Sequence, residues 1–264
     1  MTDTATAPAH LTPDSYHVIG PDDFGVPGLW ARESVGPWGP VEAFGPLVTV
    51  HDSRFDPRRG IGHHPHRGME RLFYILEGAV DHDDALNHIT GHMGTGDLGI
   101  LTEGRRGMVH SEWNNGDEPA RAYILVYPTD PTPATASFDA VRDAEAARVS
   151  PAPGVITKQV VERGGNRLRG DVRELTDSSL EGEAALEVRL RSDEAGLVFV
   201  VDGRVDVHAE DWAGSGPARM GGEHTALVPP VPRPRELRLV AREPSRVLHA
   251  VTGPGFGVRR RGAS

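Results

Sequence analysis

The chain has 264 residues, room for one large domain or two of about 100–150 each. Its 32 Gly and 22 Pro exclude a helical bundle, because both residues destabilise helix interiors, and favour short strands joined by turns. A formal charge of −10 disfavours direct binding of nucleic acid, and the absence of cysteine excludes disulfides, thiolate metal sites and thiol catalysis.

Residues 1–14 (MTDTATAPAHLTPD) are small, polar and proline-containing, and read as a disordered leader. No Lys or Arg precedes Arg32, so the basic region of a secretory signal is missing. The longest apolar runs, near 123–126 and 197–201, are too short to span a bilayer. A soluble, cytoplasmic protein without membrane contact is the expectation. From about Val41, apolar segments of strand length alternate with turn signals: 46–50, 72–76 before Glu77-Gly78, 98–101 after Gly96-Asp97, and 123–127. That spacing belongs to a barrel or sandwich. Residues 15–130 are assigned to a first domain.

A Pro/Thr-rich linker, PTDPTPATA, follows at 128–136. Residues 137–149 (SFDAVRDAEAARV) are rich in Ala, Glu and Arg and predict a short linker helix, with Ser137 as cap, Asp139 near its N-terminal end and PAPG at 151–154 as the stop. The boundary is placed at 131–154. A second domain, 155–264, resumes with strand-like segments at 155–161, 185–190, 197–201, 205–207, 225–228, 237–240 and 247–251. FYILEGAVDH at 73–82 and VFVVDGRVDVH at 198–208 share an apolar run, a Gly turn and a second short strand, the mark of a weak internal duplication. Arg259-Arg260-Arg261 reads as a solvated tail.

Histidine is unevenly spread: eight of 13 lie between His51 and His110. In a strand, residues i and i+2 face the same way, so His64 and His66 can converge on one ion. His110 and Glu112 repeat that geometry with one imidazole and one carboxylate. If the two strands are neighbours, three nitrogens and one carboxylate oxygen meet, a set suited to a divalent first-row metal with open positions. The alternative is a solvated histidine-rich loop. His63, His82, His88 and His92 have turn and polar neighbours and are expected to be solvated residues of that kind, and His51 stands apart. His208, His224 and His249 have no such partner, so no metal is expected in the second domain.

The stretch 64–78 (HPHRGMERLFYILEG), together with 95–112 (TGDLGILTEGRRGMVHSE), resembles the signature region of the pirins, a branch of the cupin superfamily. The likeness is strong over roughly residues 60–127 and runs through the rest in outline. It implies an all-β fold of two cupin-type β-barrels (double-stranded β-helices), the second lacking a metal site. It implies one metal, Fe(II) first and Ni, Mn, Co or Zn as alternatives, held by His64, His66, His110 and Glu112. Glu70 is similar to a pirin Glu that is not a ligand and is read as structural. Activity of the quercetin 2,3-dioxygenase type follows from the resemblance, with a flavonol-like small molecule and dioxygen as substrates and Glu112 as candidate catalytic base. The alternative it implies is a non-enzymatic, iron-dependent regulator acting through protein partners. The chain departs from the pirin pattern by one added arginine, 105 or 106, between Gly104 and His110.

Overall fold

The structure, a computed structural model, describes residues 8–210, 212, 216–255 and the backbone of 259–260. Four β-sheets stack as two barrels placed back to back. In the first barrel the large sheet runs through Ser137–Val141, Leu98–Thr102, Met69–Glu77, Ala120–Pro128, Thr49–Phe55, Leu29–Val35, Val41–Ala43 and Arg259–Arg260. A small sheet in the order Arg59–His66, Met108–Asn114, Ala79–Asp84, Ile89–Gly94 covers its inner face. The second barrel repeats the plan. Its large sheet runs Ala9–Leu11, Thr225–Val228, Ala195–Asp202, Ser245–Thr252, Val172–Leu180, Val155–Val161, Arg148–Val149. Its small sheet runs Ala185–Leu190, Arg235–Ala241, Arg204–Ala209, Ala218–Gly221.

The apolar runs of the sequence follow from this layering. Strands of the large sheets are covered on both faces, so they are apolar at consecutive positions. Phe73 and Ile75 point into the first barrel, while Leu72, Tyr74 and Leu76 point toward the second. Likewise Val198 and Val200 fill the second barrel, and Leu197, Phe199 and Val201 meet the first. The small sheets have one wet face and alternate: Leu186, Val188 and Leu190 are buried while Glu187 and Arg189 are exposed. Each large apolar side chain so buried contributes about 1.5–3 kcal/mol. The largest core cluster lies between the barrels, so it joins the two halves of the sequence.

The duplicated motif occupies equivalent places. Gly78 and Gly203 both turn one strand into the next at positive φ, 70° and 85°. A Cβ at either would lie 2.6 Å from a backbone oxygen, of Pro119 and Pro244 respectively. Only glycine fits both the turn and the approach.

Three expectations change. Residues 1–7 of the proposed leader lie outside the described residues, but Ala9–Leu11 is a strand paired with Thr225–Leu227, and residues 13–15 form one turn of 3-10 helix. Leu11 and Ala9 are buried in the inter-barrel core, which orders a segment whose own composition would not. The linker helix does not form. Ser137–Val141 pairs with Leu98–Thr102, and Arg148–Val149 pairs with 157–158. A 13-residue isolated helix is marginal in water, and here two open sheet edges satisfy the same backbone groups. The turn between these strands is tied down by Asp143, which accepts hydrogen bonds from Arg148 and from Lys158, the only lysine in the chain. The third change concerns the basic tail: Arg259 and Arg260 pair with Ala43 and Val41, while Arg261 lies outside the described residues. No helix among the described residues is long and apolar enough to cross a membrane.

Candidate metal centre

Arg59–His66 and Met108–Asn114 are antiparallel neighbours in the small sheet of the first barrel, with His64 directly opposite His110 and His66 opposite Met108. Between His110 and Glu112 the register shifts, so that Glu112 faces Ile61 and the Arg59–His66 strand carries an extra residue. Such bulges re-aim side chains. Gly60 permits the close approach beside it, since a Cβ there would fall 2.2 Å from the Glu112 carbonyl oxygen.

The strand pairing gathers the three expected imidazoles. Ring centroids lie 4.8 Å apart for His64 and His66, 4.6 Å for His64 and His110, and 5.0 Å for His66 and His110. Their candidate ligand atoms all fall within 4.8 Å of one another. Glu112 joins from the inner side: its carboxylate touches His110 Nδ1, and the set that converges with it is His82, His110 and Glu112. The four expected residues thus fall in two overlapping sets that share His110, and the second set brings in a fifth residue, His82.

His82 overturns the expectation that it is a solvated loop residue. It is 2% exposed and sits opposite Glu112 in the strand register, with Nδ1 3.4 Å from the carboxylate. Its ring stacks on Phe138 at 5.4 Å and 13°. The signal was in the sequence: Val80, His82 and Asp84 alternate inward along Ala79–Asp84, by the same period-2 rule that relates His64 to His66. The other histidines lie elsewhere. His63 and His92 pair at the surface with Asp83 and Asp81, and His88 is exposed. His51 meets Glu33 at 2.9 Å. Glu70 is fully buried and accepts hydrogen bonds from Thr102, Tyr127 and the Arg169 backbone N–H. These bonds occupy its carboxylate in packing the barrels together. In the second barrel His249 bridges Thr176 and Glu174, and His224 meets His10.

Hydrogen bonds set the ring tautomers. His64 Nδ1 faces the Gly62 carbonyl at 2.9 Å, and a carbonyl only accepts, so Nδ1 carries the proton and Nε2 presents a lone pair. His66 Nδ1 faces Arg71 Nη2 at 2.7 Å, and Arg71 is anchored on the buried Glu103. A guanidinium only donates, so Arg71 must release His66 before either nitrogen of a neutral ring serves as a ligand. His110 is 1% exposed, and neither of its ring nitrogens has a hydrogen-bond partner. The Glu112 carboxylate lies against its Nδ1 without hydrogen-bond alignment, so the nitrogen left without any partner is Nε2.

The charge states suit a cation. Burial, then Arg71, His110 and His64, pushes His66 down to about 3. Burial also lowers His64. Burial opposes ionisation of Glu112, yet the pull of His110 and His82 holds its carboxyl well below the usual range. Neutral imidazoles beside one carboxylate form a donor set for a divalent first-row metal. A buried imidazole flanked by a carboxylate on one nitrogen and with the other, Nε2, unpartnered fits the chemistry of a metal ligand. His64 and His66 are half-buried, so the site opens to solvent on their side.

Comparison with known proteins agrees with this reading of the fold. A family model described as Pirin matches residues 30–125. Pirin from Homo sapiens is 47% identical over 99 residues, 37% of this chain and 33% of that protein. Quercetin 2,3-dioxygenase from Escherichia coli K12 is 37% identical over 71 residues, 27% of this chain and 30% of that protein. The chain thus matches about a third of the length of these relatives. Among solved structures, GK1651 from Geobacillus kaustophilus superposes with a TM-score of 0.76 at 18% identity, covering 95% of this chain and 98% of that one. The bacterial pirin YhhW from Escherichia coli, in complex with nickel(II), gives 0.67 at 19% identity, covering 90% and 99%. At these identities the structures speak to the fold alone.

Proposed function

Because the chain belongs to the pirin family of cupins, we propose that it is a metal-dependent dioxygenase of the quercetin 2,3-dioxygenase type, opening the ring of a flavonol-like substrate. His64, His66, His110 and Glu112 hold one divalent metal in this reading, Fe(II) first, with Ni, Mn, Co or Zn able to replace it. The observation that carries it is the convergence of His64, His66 and His110 on one wall, with Glu112 against His110 and the buried His110 Nε2 left without a partner. A buried polar group left that way costs about 1–3 kcal/mol, a cost that coordination removes.

When bound, a divalent cation supplies Lewis-acid stabilisation to an enolate or phenolate oxygen. The chain's own residues do the rest. His64 and His66, on the solvent side, leave room for a substrate hydroxyl to approach. Glu112 is the candidate acceptor for that hydroxyl's proton; its lowered pKa makes it a weak base on its own, so the transfer relies on a hydroxyl acidified by the cation. The small sheet and the core behind it keep water from the inner side of the site.

Anaerobic loading with Fe(II), Ni(II), Mn(II), Co(II) or Zn(II), then exposure to air with a flavonol, tests the proposal. Loss of flavonol absorbance with a redox-competent metal is the expected result. No turnover with any metal, in protein shown by elemental analysis to be loaded, would leave the metal-dependent regulator as the reading to pursue.

A further inference from the structure

We infer that His82 is a positioning residue of the metal centre, acting through Glu112 rather than on the ion. The inference rests on the reading that His110 and Glu112 hold a metal, and it adds a residue outside that ligand set.

Three observations converge. The first is register: His82 lies directly opposite Glu112 across one strand pair and opposite Gly91 across the next. The second is packing. Phe138 covers the His82 ring face, and Phe138 is itself seated on Gly91, where a Cβ would come within 2.4 Å of the Phe138 ring. The imidazole plane is therefore set by aromatic stacking and a missing side chain, before any ion arrives. The third is hydrogen bonding. Ionised Glu112 only accepts, so the His82 proton on that side sits on Nδ1, 3.4 Å from the carboxylate. Nε2 is then a buried lone pair with no partner.

His82 reaches the site from within. Its candidate ligand atom converges with those of His110 and Glu112, while the set at the open side is His64, His66 and His110. Within the inner set it is the Glu112 charge that acts on His64 and His66. A ring fixed by its surroundings and donating to the carboxylate limits the rotamers Glu112 samples, which is how residues behind a ligand raise metal affinity. The device depends on a segment outside the motif strands, because Phe138 belongs to the edge strand Ser137–Val141.

Amide side chains separate the two nitrogens. Asn places an N–H near the Nδ1 position, Gln places one near Nε2, and Leu supplies neither. Ni(II) affinity would be measured by chelator competition for wild type, His82→Asn, His82→Gln and His82→Leu. Metal content would be read by elemental analysis, and the thermal midpoint of each metal-free protein recorded alongside. The expected result is affinity near wild type for His82→Asn and a loss of about 10–100-fold for His82→Gln and His82→Leu. A merely structural His82 would lower the metal-free midpoints and leave the affinity of the folded protein unchanged, which overturns the inference. Equal loss in folded His82→Asn and His82→Leu would also overturn it, because it makes Nε2 a ligand. If His82→Leu does not fold, the Asn–Gln contrast decides alone. Wild-type protein that binds no Ni(II), Fe(II) or Co(II) would sink the metal centre itself, a failure visible before any variant is compared.

Discussion

The two barrels place chemically opposite residues on corresponding strands. In the first, the edge strand of the small sheet sets His64 opposite His110; in the second, the corresponding edge strand sets Val188 opposite Leu237. Val188 and Leu237 are buried in an aliphatic cluster that fills the second barrel. The first barrel gives up that filling on one wall and places imidazoles and a carboxylate there. Aliphatic burial contributes about 1.5–3 kcal/mol per large side chain, whereas an unpartnered buried polar group costs about 1–3 kcal/mol. One scaffold thus serves two ends: a barrel packed for stability, and a barrel less stable by itself that carries a site. The shared core between them lets the second support the first.

The comparison can be broken at its centre. His110→Leu makes the first barrel resemble the second. Metal affinity should fall by at least 100-fold in elemental analysis or chelator competition, while the metal-free thermal midpoint changes little, because losing the unpartnered Nε2 offsets losing the His110 contact with the buried Glu112 carboxylate. Retained metal would remove His110 from the ligand set. In the second barrel, Leu237→Ala should cost about 2–5 kcal/mol in denaturant unfolding through the cavity it leaves, with metal content per folded molecule unchanged. A matching loss of metal would show that the second barrel takes part in the site. The smallest effect is expected from His63→Ala. That ring pairs with Asp83 at the surface, so stability should shift by no more than about 0.5 kcal/mol and metal affinity not at all.

Much of this was legible in the sequence because period-2 logic is local. The consecutive apolar runs at 72–76 and 197–201 marked strands covered on both faces, and the i, i+2 spacing of His64, His66, His110 and Glu112 marked one wall. What escaped depends on partners distant in sequence. Residues 137–149 carry helix-forming composition, yet the open edge of Leu98–Thr102 recruits them as a strand and turns Phe138 inward. His82 carried a local signal in its period-2 match with Val80 and Asp84, but its polar neighbours Asp81 and Asp83 masked it, and its burial is completed by the distant Phe138. The separation of Glu112 from His64 and His66, into a second set with His82 and His110, was equally invisible; it accompanies the register shift beside Glu112.

The chain ends cross over. Ala9–Leu11, near the beginning of the sequence, completes an edge of the second barrel's large sheet, and Arg259–Arg260, near its end, extends the first barrel's. Each half therefore lends the other a border strand, like two parcels tied with one string. Dividing the chain at 131–154 would leave both pieces with a bare sheet edge and an uncovered apolar back, so neither piece is a self-sufficient folding unit. The large sheet that backs the histidine wall thus borrows a border strand from the other half of the sequence.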